Sequence, residues 1–355
     1  MTGENPMDIM SMTIEELSEQ MAAEGQPKFR AKQLYEWMHV RLAESYDAMT
    51  DLPKTLREKL AAERPLTVPS KVVMMESGED GTRKYLFRLA DGNVIESVWM
   101  RYHHGNSVCI SSQVGCRMGC KFCASTIGGL VRNLEPSEML SQIYAITRDT
   151  GERVSNVVVM GTGEPLDNYD NLLRFIRLLT DENGLNVSQR NITVSTCGLV
   201  PKLRALADEK LAITAAISLH APNDALRREL MPVANSFSVK ELLEAAEYYT
   251  RTTGRRITYE YSLIDGVNDT PACARELAGI LRGQNCHVNL IPINPVKERR
   301  YGRSLVTNVL QFQKMLENEG INVTIRRELD SDIDAACGQL RRHYEAQIGA
   351  EGGEG

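Results

Sequence analysis

The chain has 355 residues, with 41 basic side chains against 47 acidic ones and a formal charge of −6. A content of 42% hydrophobic and 25% charged residues is that of a folded globular protein, which excludes disordered and collagen-like chains. The length fits two domains of about 150 residues or one large barrel. The acidic balance argues against nonspecific coating of nucleic acid but leaves room for a local basic patch.

Residues 1–68 read as a helical module. A first helix follows Ser11 as its cap, and Phe29, Gln33, Leu34, Trp37 and Met38 recur at helical spacing in a second. Pro53 opens a third, with Leu56, Leu60 and Ala61 on its apolar face. Lys28, Arg30, Lys32 and Arg41 gather around the second helix. Residues 69–104 change period to a β-meander, with strand-like runs at Val72–Met75, Lys84–Arg88 and Val94–Trp99. Glu79-Asp80-Gly81 and Ala90-Asp91-Gly92-Asn93 are its turns.

From 105 to 343 strands and helices alternate. Strands are expected at 107–112, 156–160, 191–195, 212–219, 256–263, 286–291 and 321–326. Amphipathic helices are expected at 137–149, 170–182, 237–251, 271–282 and 304–318. This rhythm predicts an α/β fold, a parallel sheet forming a barrel or partial barrel, with ligands at the carboxyl ends of its strands. The Gly-rich end, 344–355, is too poor in apolar residues to pack and is expected to be disordered.

No apolar run approaches the roughly 20 residues of a membrane span. The start has neither the basic nor the apolar region of a secretory signal, so the expected compartment is the cytoplasm, with no membrane partner. In that compartment eight cysteines point to metal or redox chemistry rather than structural disulfides. Three of them, Cys116, Cys120 and Cys123, stand at C-x3-C-x2-C spacing just beyond the first barrel strand, with Gly115 and Gly119 freeing the backbone to wrap one centre. Soft thiolates favour iron–sulfur or zinc. A closed zinc site and a [4Fe–4S] cluster both want four ligands, so three leave one position open to substrate or cofactor.

Phe122 directly before Cys123 completes C-x3-C-x-Φ-C, which resembles the signature of radical S-adenosylmethionine (SAM) enzymes. Further runs resemble the RlmN/Cfr family of RNA adenine methyltransferases: Cys109-Ile-Ser-Ser-Gln-Val-Gly-Cys116, Arg132-Asn133-Leu134, Gly161-Thr-Gly-Glu-Pro-Leu166, Ser218-Leu-His220, Ile291-Pro-Ile-Asn294-Pro and Asp332-Ile-Asp-Ala-Ala-Cys-Gly-Gln-Leu340. Lys28-Phe-Arg-Ala-Lys-Gln-Leu34 resembles that family's accessory domain. The resemblance covers nearly the whole chain. It implies a partial (β/α)6 TIM-like barrel holding a [4Fe-4S] cluster on Cys116, Cys120 and Cys123, whose open iron takes the amino and carboxylate groups of SAM.

By the same resemblance Gly163, Glu164, Ser195, Ser218, Leu219, His220 and Asn294 contact SAM. Alone, GTGEP would be a strand-ending turn and His220 a structural histidine. Two SAM are implied per turnover. Cys337 takes a methyl group from the first. A 5′-deoxyadenosyl radical from the second abstracts hydrogen from that S-methyl group, and the carbon radical adds to an adenine. Glu96 then removes the ring proton, and Cys109 releases the product by forming a disulfide with Cys337. Without the resemblance Glu96 would be a solvent-facing strand carboxylate. Cys197, Cys273 and Cys286 are expected to be packing residues.

The implied product is 2-methyladenosine in 23S rRNA, at the peptidyl transferase centre, and in tRNA beside the anticodon. A flavodoxin or ferredoxin is the expected electron donor, and the expected state is a monomer. Candidate phosphate contacts are Lys28, Arg30, Lys32, Arg299, Arg300, Arg303, Arg326 and Arg327. Two alternatives stand beside this reading: a Cfr-like methyltransferase acting at C8, and a non-enzymatic zinc-dependent RNA-binding protein.

Overall fold

A computed structural model describes residues 7–103, 105–296, 298–326, 339–342 and 344. Three helices open it: α1 (Ile14–Ala23), α2 (Phe29–His39) and α3 (Lys54–Glu63). Thr13, not Ser11, caps α1, in a capping box with Glu16. Ser11 is buried and instead accepts the Ser137 N–H at 3.0 Å. α2 turns Ala31, Leu34, Tyr35 and Met38 inward, while Phe29 is exposed. In α3, Leu56 and Leu60 are buried but Ala61 faces solvent.

The meander follows as β1 (Ser70–Glu76), β2 (Arg83–Arg88) and β3 (Val94–Met100). Next come β4 (Asn106–Cys109), the short hairpin β5 (Gln113–Gly115) and β6 (Leu130–Asn133), and α4 (Pro136–Thr150). The alternating part continues with β7 (Val154–Val159), α5 (Tyr169–Thr180), β8 (Ile192–Thr196), α6 (Val200–Asp208), β9 (Thr214–Ser218), α7 (Asp224–Leu230) and α8 (Val239–Thr253). It ends with β10 (Ile257–Leu263), α9 (Pro271–Leu281), β11 (Cys286–Pro292), α10 (Val306–Asn318) and β12 (Asn322–Ile325). The β5–β6 hairpin and the helices α6 and α7 lie outside the segments expected from the sequence. α7 is only seven residues long, too short to leave an amphipathic period.

Among the described residues ten strands form one sheet in the order β1-β2-β3-β4-β7-β8-β9-β10-β11-β12. The meander is antiparallel, and β3 joins β4 antiparallel with Val98 opposite Cys109. From β4 to β12 every neighbouring pair in the sheet order is parallel, the parallel sheet expected from the sequence, with β12 as a seventh parallel strand where six were implied. The meander is thus an extension of the barrel sheet. β4 stops at Cys109, short of the expected Ser112. The backbone of Ser112 turns instead to Thr162 O at 2.9 Å.

Strand alternation sorts the two faces of this sheet. Val157, Val159, Ile192, Val194, Ala215, Ile217, Tyr259, Tyr261, Val288 and Leu290 join the helices in one apolar core. The intervening residues face inward and are largely polar. Asn289 donates to Glu260 Oε2 at 2.9 Å, and His287 Nε2 lies 2.9 Å from Thr324 Oγ1. A polar lumen is what a barrel needs if it is to hold a polar ligand.

The N-terminal helices are bound to α4 and α5. Arg174 meets Glu16 at 2.6 Å, Tyr35 donates to Asp181 at 3.0 Å, and His39 Nδ1 pairs with the Tyr144 hydroxyl at 2.7 Å. At the other end of the chain, residues 339–342 and 344 are helical. Leu340 packs on Leu86 and Val94, with Tyr344 against the same cluster. Tyr344, placed by its sequence in the tail, accepts a hydrogen bond from the Arg88 guanidinium. No helix among the described residues is long and apolar enough to cross a membrane.

Candidate active site

The cysteine loop leaves β5 at the carboxyl end of the parallel sheet and returns through β6. Its first turn depends on Gly115, with φ +75°, where a Cβ would lie 2.1 Å from the Gly129 carbonyl oxygen. Cys116, Cys120 and Cys123 all line one cavity of about 160 Å³. Sharing its walls are Phe122, Gly163, Glu164, Ser195, Cys197, Ser218 and His220. The loops after β7, β8 and β9 therefore face the cysteine loop, as the position rule for parallel sheets requires. Among the described residues, no three His, Cys, Asp or Glu side chains are arranged to hold a single metal ion.

Burial dominates the electrostatics of this cavity. It pushes the Cys116 thiol up to about 12, with the neighbouring Cys123 adding to the effect. Burial likewise raises Cys120, and next the charges of Cys123 and Cys116. The three sulfurs are thus close enough to oppose one another's ionisation. Without a cation Cys116 and Cys120 stay protonated at neutral pH, and metal binding would release their protons.

Glu164 is held by its surroundings. Its N–H donates to Gln113 Oε1 at 2.8 Å, its Oε1 accepts from Leu166 N–H at 3.0 Å, and its Oε2 from Cys197 N–H at 2.7 Å. Burial raises its carboxyl above the ordinary range, while the Cys197 backbone bond pulls the other way. A cation entering here would meet a pre-oriented carboxylate. Gly163, just before it, has φ +117°, and a Cβ there would lie 2.7 Å from both Gln113 Cβ and Ser112 Oγ. Only glycine allows this loop to lie against the strand below.

His220 has φ +56° and is buried. Its Nδ1 accepts the Ser262 N–H at 2.9 Å, so the neutral ring carries its proton on Nε2. Phe122 packs edge-on against that ring, with centroids 5.0 Å apart. Burial first, and then Arg227, hold the imidazole down to about 3. Ser195 and Ser218 line the cavity beside it, whereas Leu219 and Asn294 are absent from its walls. The Leu219 side chain lies in the core, and Asn294 is exposed just beyond β11.

Several contributors escaped the sequence reading. Cys197, expected to be packing alone, packs beside Cys120 and also lines the cavity; its place one residue past β8 was the available signal. Cys286 is in the core, and Cys273 packs against it from the edge. Gln113 ties the cysteine loop to its surroundings, donating to Asn133 Oδ1 at 2.8 Å and Asp167 Oδ2 at 3.1 Å. Arg227, wholly buried on α7, donates to the carbonyls of Cys197 (2.6 Å), Leu219 (3.1 Å) and Ser218 (3.2 Å). Those bonds clamp together the ends of β8 and β9.

A second group lies on the inner face of the meander. Glu96 is buried, not solvent-facing; its Oε2 is 3.3 Å from the Lys84 ammonium, and its Oε1 accepts the Arg341 N–H at 2.6 Å. Val98, two residues on and on the same face, pairs with Cys109, so Glu96 and Cys109 are diagonal neighbours across β3 and β4. Gln339 donates to the Pro295 carbonyl at 3.0 Å, beside Asn294. Cys337 and Arg327 lie outside the described residues. Of the other phosphate candidates, Lys28, Lys32, Arg300, Arg303 and Arg326 are exposed. Arg299 turns inward, reaching Thr126 Oγ1 at 3.0 Å and the Cys123 carbonyl at 3.4 Å.

Known proteins match over the same regions. The model of the radical SAM superfamily matches residues 110–273, and that of the ribosomal RNA large subunit methyltransferase N-terminal domain matches residues 7–64. A probable dual-specificity RNA methyltransferase RlmN of Lachnoclostridium phytofermentans is 62% identical over 338 residues, 95% of either chain. One of Clostridium novyi is 51% identical over 337 residues, covering 95% of this chain and 98% of the relative. The crystal structure of a radical SAM methyltransferase from Sphaerobacter thermophilus superposes with a TM-score of 0.91 at 47% identity, covering 94% of this chain and 99% of that one.

Proposed function

The chain belongs to the RlmN-type radical SAM RNA methyltransferases, and we propose that it forms 2-methyladenosine in 23S rRNA and in tRNA through a methylated Cys337. Membership of the radical SAM family implies a [4Fe-4S] cluster and SAM. The observation that carries the reading is the shared cavity, where three thiols of one loop face Glu164, Ser195, Ser218 and His220 from three successive strand ends. That donor set fits the group: three soft sulfurs for iron, with an acidic and hydroxyl-lined wall opposite for the amino-acid and sugar parts of SAM.

Cys116, Cys120 and Cys123 would hold the cluster, which when bound supplies the electron that splits SAM and so makes radical chemistry available. The chain's own residues do the rest. Glu164, already fixed by two backbone donors, would take the SAM ammonium. Gly163 lets that loop approach closely, and His220 closes the wall behind Phe122. Arg227 clamps the carbonyls of Cys197, Ser218 and Leu219, which fixes the ends of β8 and β9 beside the cavity.

Adenine C2 is not nucleophilic, so a methyl group must arrive by a radical route. Cys337 would accept the methyl of one SAM as a thiolate and present it to the radical formed from a second. Glu96 would take the proton of the ring carbon after addition. Cys109, as a thiolate, would then attack the Cys337 sulfur and form a disulfide as the carbon–sulfur bond breaks, its electron pair passing with a proton to the methylene carbon, while the unpaired electron left by the addition leaves to an external electron carrier. Two contacts support this assignment: the diagonal placement of Glu96 and Cys109, and the bond from Arg341 to Glu96, which ties the segment just after Cys337 to the proposed base.

The target adenine must be unstacked to reach such a lumen. Exposed Lys28, Lys32, Arg300 and Arg303 are the candidates to hold the surrounding phosphates. Anaerobic purification tests the reading: brown protein with iron and sulfide, and a Cys337 peptide heavier by one methyl, are expected. Colourless protein containing zinc, active without SAM, would overturn it.

A further inference from the structure

We propose that Lys84 is a positioning residue for the methyl-transfer reaction, acting through Glu96; the proposal rests on Glu96 being the base. Lys84 stands on β2, where the register pairs it with Val98 and so sets it diagonal to Glu96 on the same inward face. Its side chain is wholly buried, and its ammonium lies 3.3 Å from Glu96 Oε2. A buried ion pair is poor value as a stabilising device, because apolar residues of similar volume generally serve as well or better. Its location is what gives it a use. The pair lies across from Cys109 and directly under the segment that follows Cys337.

The arrangement fixes the carboxylate from two sides. Lys84 engages one oxygen, and the Arg341 N–H engages the other at 2.6 Å. Ser111 Oγ donates to the Glu96 main-chain carbonyl at 2.7 Å, which holds the strand itself in place. A carboxylate so gripped has lost its rotational freedom before substrate arrives, which lowers the cost of reaching the transition state. In the step concerned the ring C–H bond breaks, its proton passes to Glu96 and its electron pair stays with the ring. The ammonium supplies the carboxylate with a charge partner in a wall that excludes water.

The role predicts a selective defect. Methylation of Cys337 and formation of 5′-deoxyadenosine precede proton removal, so they should survive loss of Lys84. Release of product should not. Anaerobically reconstituted full-length Lys84→Met and Lys84→Gln enzymes, the second keeping an N–H donor in case the first folds poorly, are assayed on a 23S rRNA transcript for all three quantities. The expected result is 5′-deoxyadenosine and Cys337 methylation within twofold of wild type, with covalent protein–RNA adduct rising tenfold or more. Lys84→Arg should restore release in part.

Two results would overturn the proposal: release as fast as wild type, or equal loss of all three quantities, which is the mark of a merely structural pair. Glu96→Gln run alongside separates the role of Lys84 from that of Glu96. If that variant accumulates adduct while the Lys84 variants do not, Lys84 has no role and the base assignment stands. If Glu96→Gln itself releases product normally, the base assignment fails and the Lys84 proposal fails with it.

Discussion

Replacing Gly163 with alanine probes the loop that aims Glu164. Two costs add there. The φ of +117° is a conformation that a side chain enters at roughly 1–3 kcal/mol. The new Cβ would also lie 2.7 Å from Gln113 Cβ and 2.8 Å from the Gln113 nitrogen. Backbone and a short stem yield little, so overpacking adds a further 1–3 kcal/mol or so.

Gly92 provides the control, because its φ is +86° and nothing lies within 4 Å of its Cβ position. Gly92→Ala should therefore cost the backbone term alone. Urea melts of both anaerobic variants should place Gly163→Ala about 1–3 kcal/mol below Gly92→Ala. Because the strain is relieved by moving the loop, SAM binding measured by calorimetry should weaken at least tenfold in Gly163→Ala and be unchanged in Gly92→Ala. Equal destabilisation by the two variants, with unchanged SAM affinity, would refute the close packing on which the argument depends.

Other expectations follow from buried charges and thiols. His39 is held down to about 4 against 6.5 in the unfolded chain, so the unfolded state binds the extra proton between those values. Stability should fall as pH drops from 6.5 to 4, by up to about 3 kcal/mol in total, and His39→Gln should flatten that part of a plot of melting temperature against pH. Glu260 has the opposite sign. Burial raises it to about 7 from 4.5, so its contribution is present at low pH and lost as pH rises through 7. Glu260→Gln should gain about 3 kcal/mol relative to wild type between pH 4.5 and pH 8, read by urea melts at the two pH values. Arg227→Met strands three strand-end carbonyls and should destabilise by about 3–5 kcal/mol; a melt within 1 kcal/mol or so of wild type would contradict the clamp. Finally, Cys109→Ala should trap the protein–RNA adduct on denaturing gels, while Cys337→Ala should form none.

Much of this architecture is readable from alternation alone. The apolar members of Val157–Val159, Ile192–Val194 and Val288–Leu290 announce strands whose outer face meets helices. The C-x3-C-x2-C spacing announces the loop that lines the cavity, because three thiols so close in sequence and flanked by glycines are brought to one place. Other features depend on packing that no local pattern records. Ser11 looks like a helix cap, but burial against Ser137 claims its hydroxyl, and Thr13, two residues on, has the Glu16 partner that makes a capping box. Glu96 looks solvent-facing because the element covering it comes from the far end of the chain, 245 residues away.

Lys84 was within reach of the sequence. The turn at Asp91-Gly92 sets Arg88 opposite Val94, and counting back along both strands puts Lys84 diagonal to Glu96. Arg227 was not, since its role is set by three carbonyls: one just past β8, one at the end of β9 and one just past it. Cys197 stands between the two: its place one residue past β8 puts it at the carboxyl end of the sheet, but nothing local says that Cys120 packs beside it.

The central claim is the chemical identity of the product. Full-length enzyme, reconstituted with iron and sulfide and supplied with SAM and reductant, is incubated with unmodified 23S rRNA, and the RNA is digested to nucleosides for mass spectrometry against authentic standards. The expected product is 2-methyladenosine, formed only when SAM is present and absent with Cys337→Ala. Finding 8-methyladenosine without 2-methyladenosine, or no methylated adenosine from a brown and fully reduced enzyme, would contradict it.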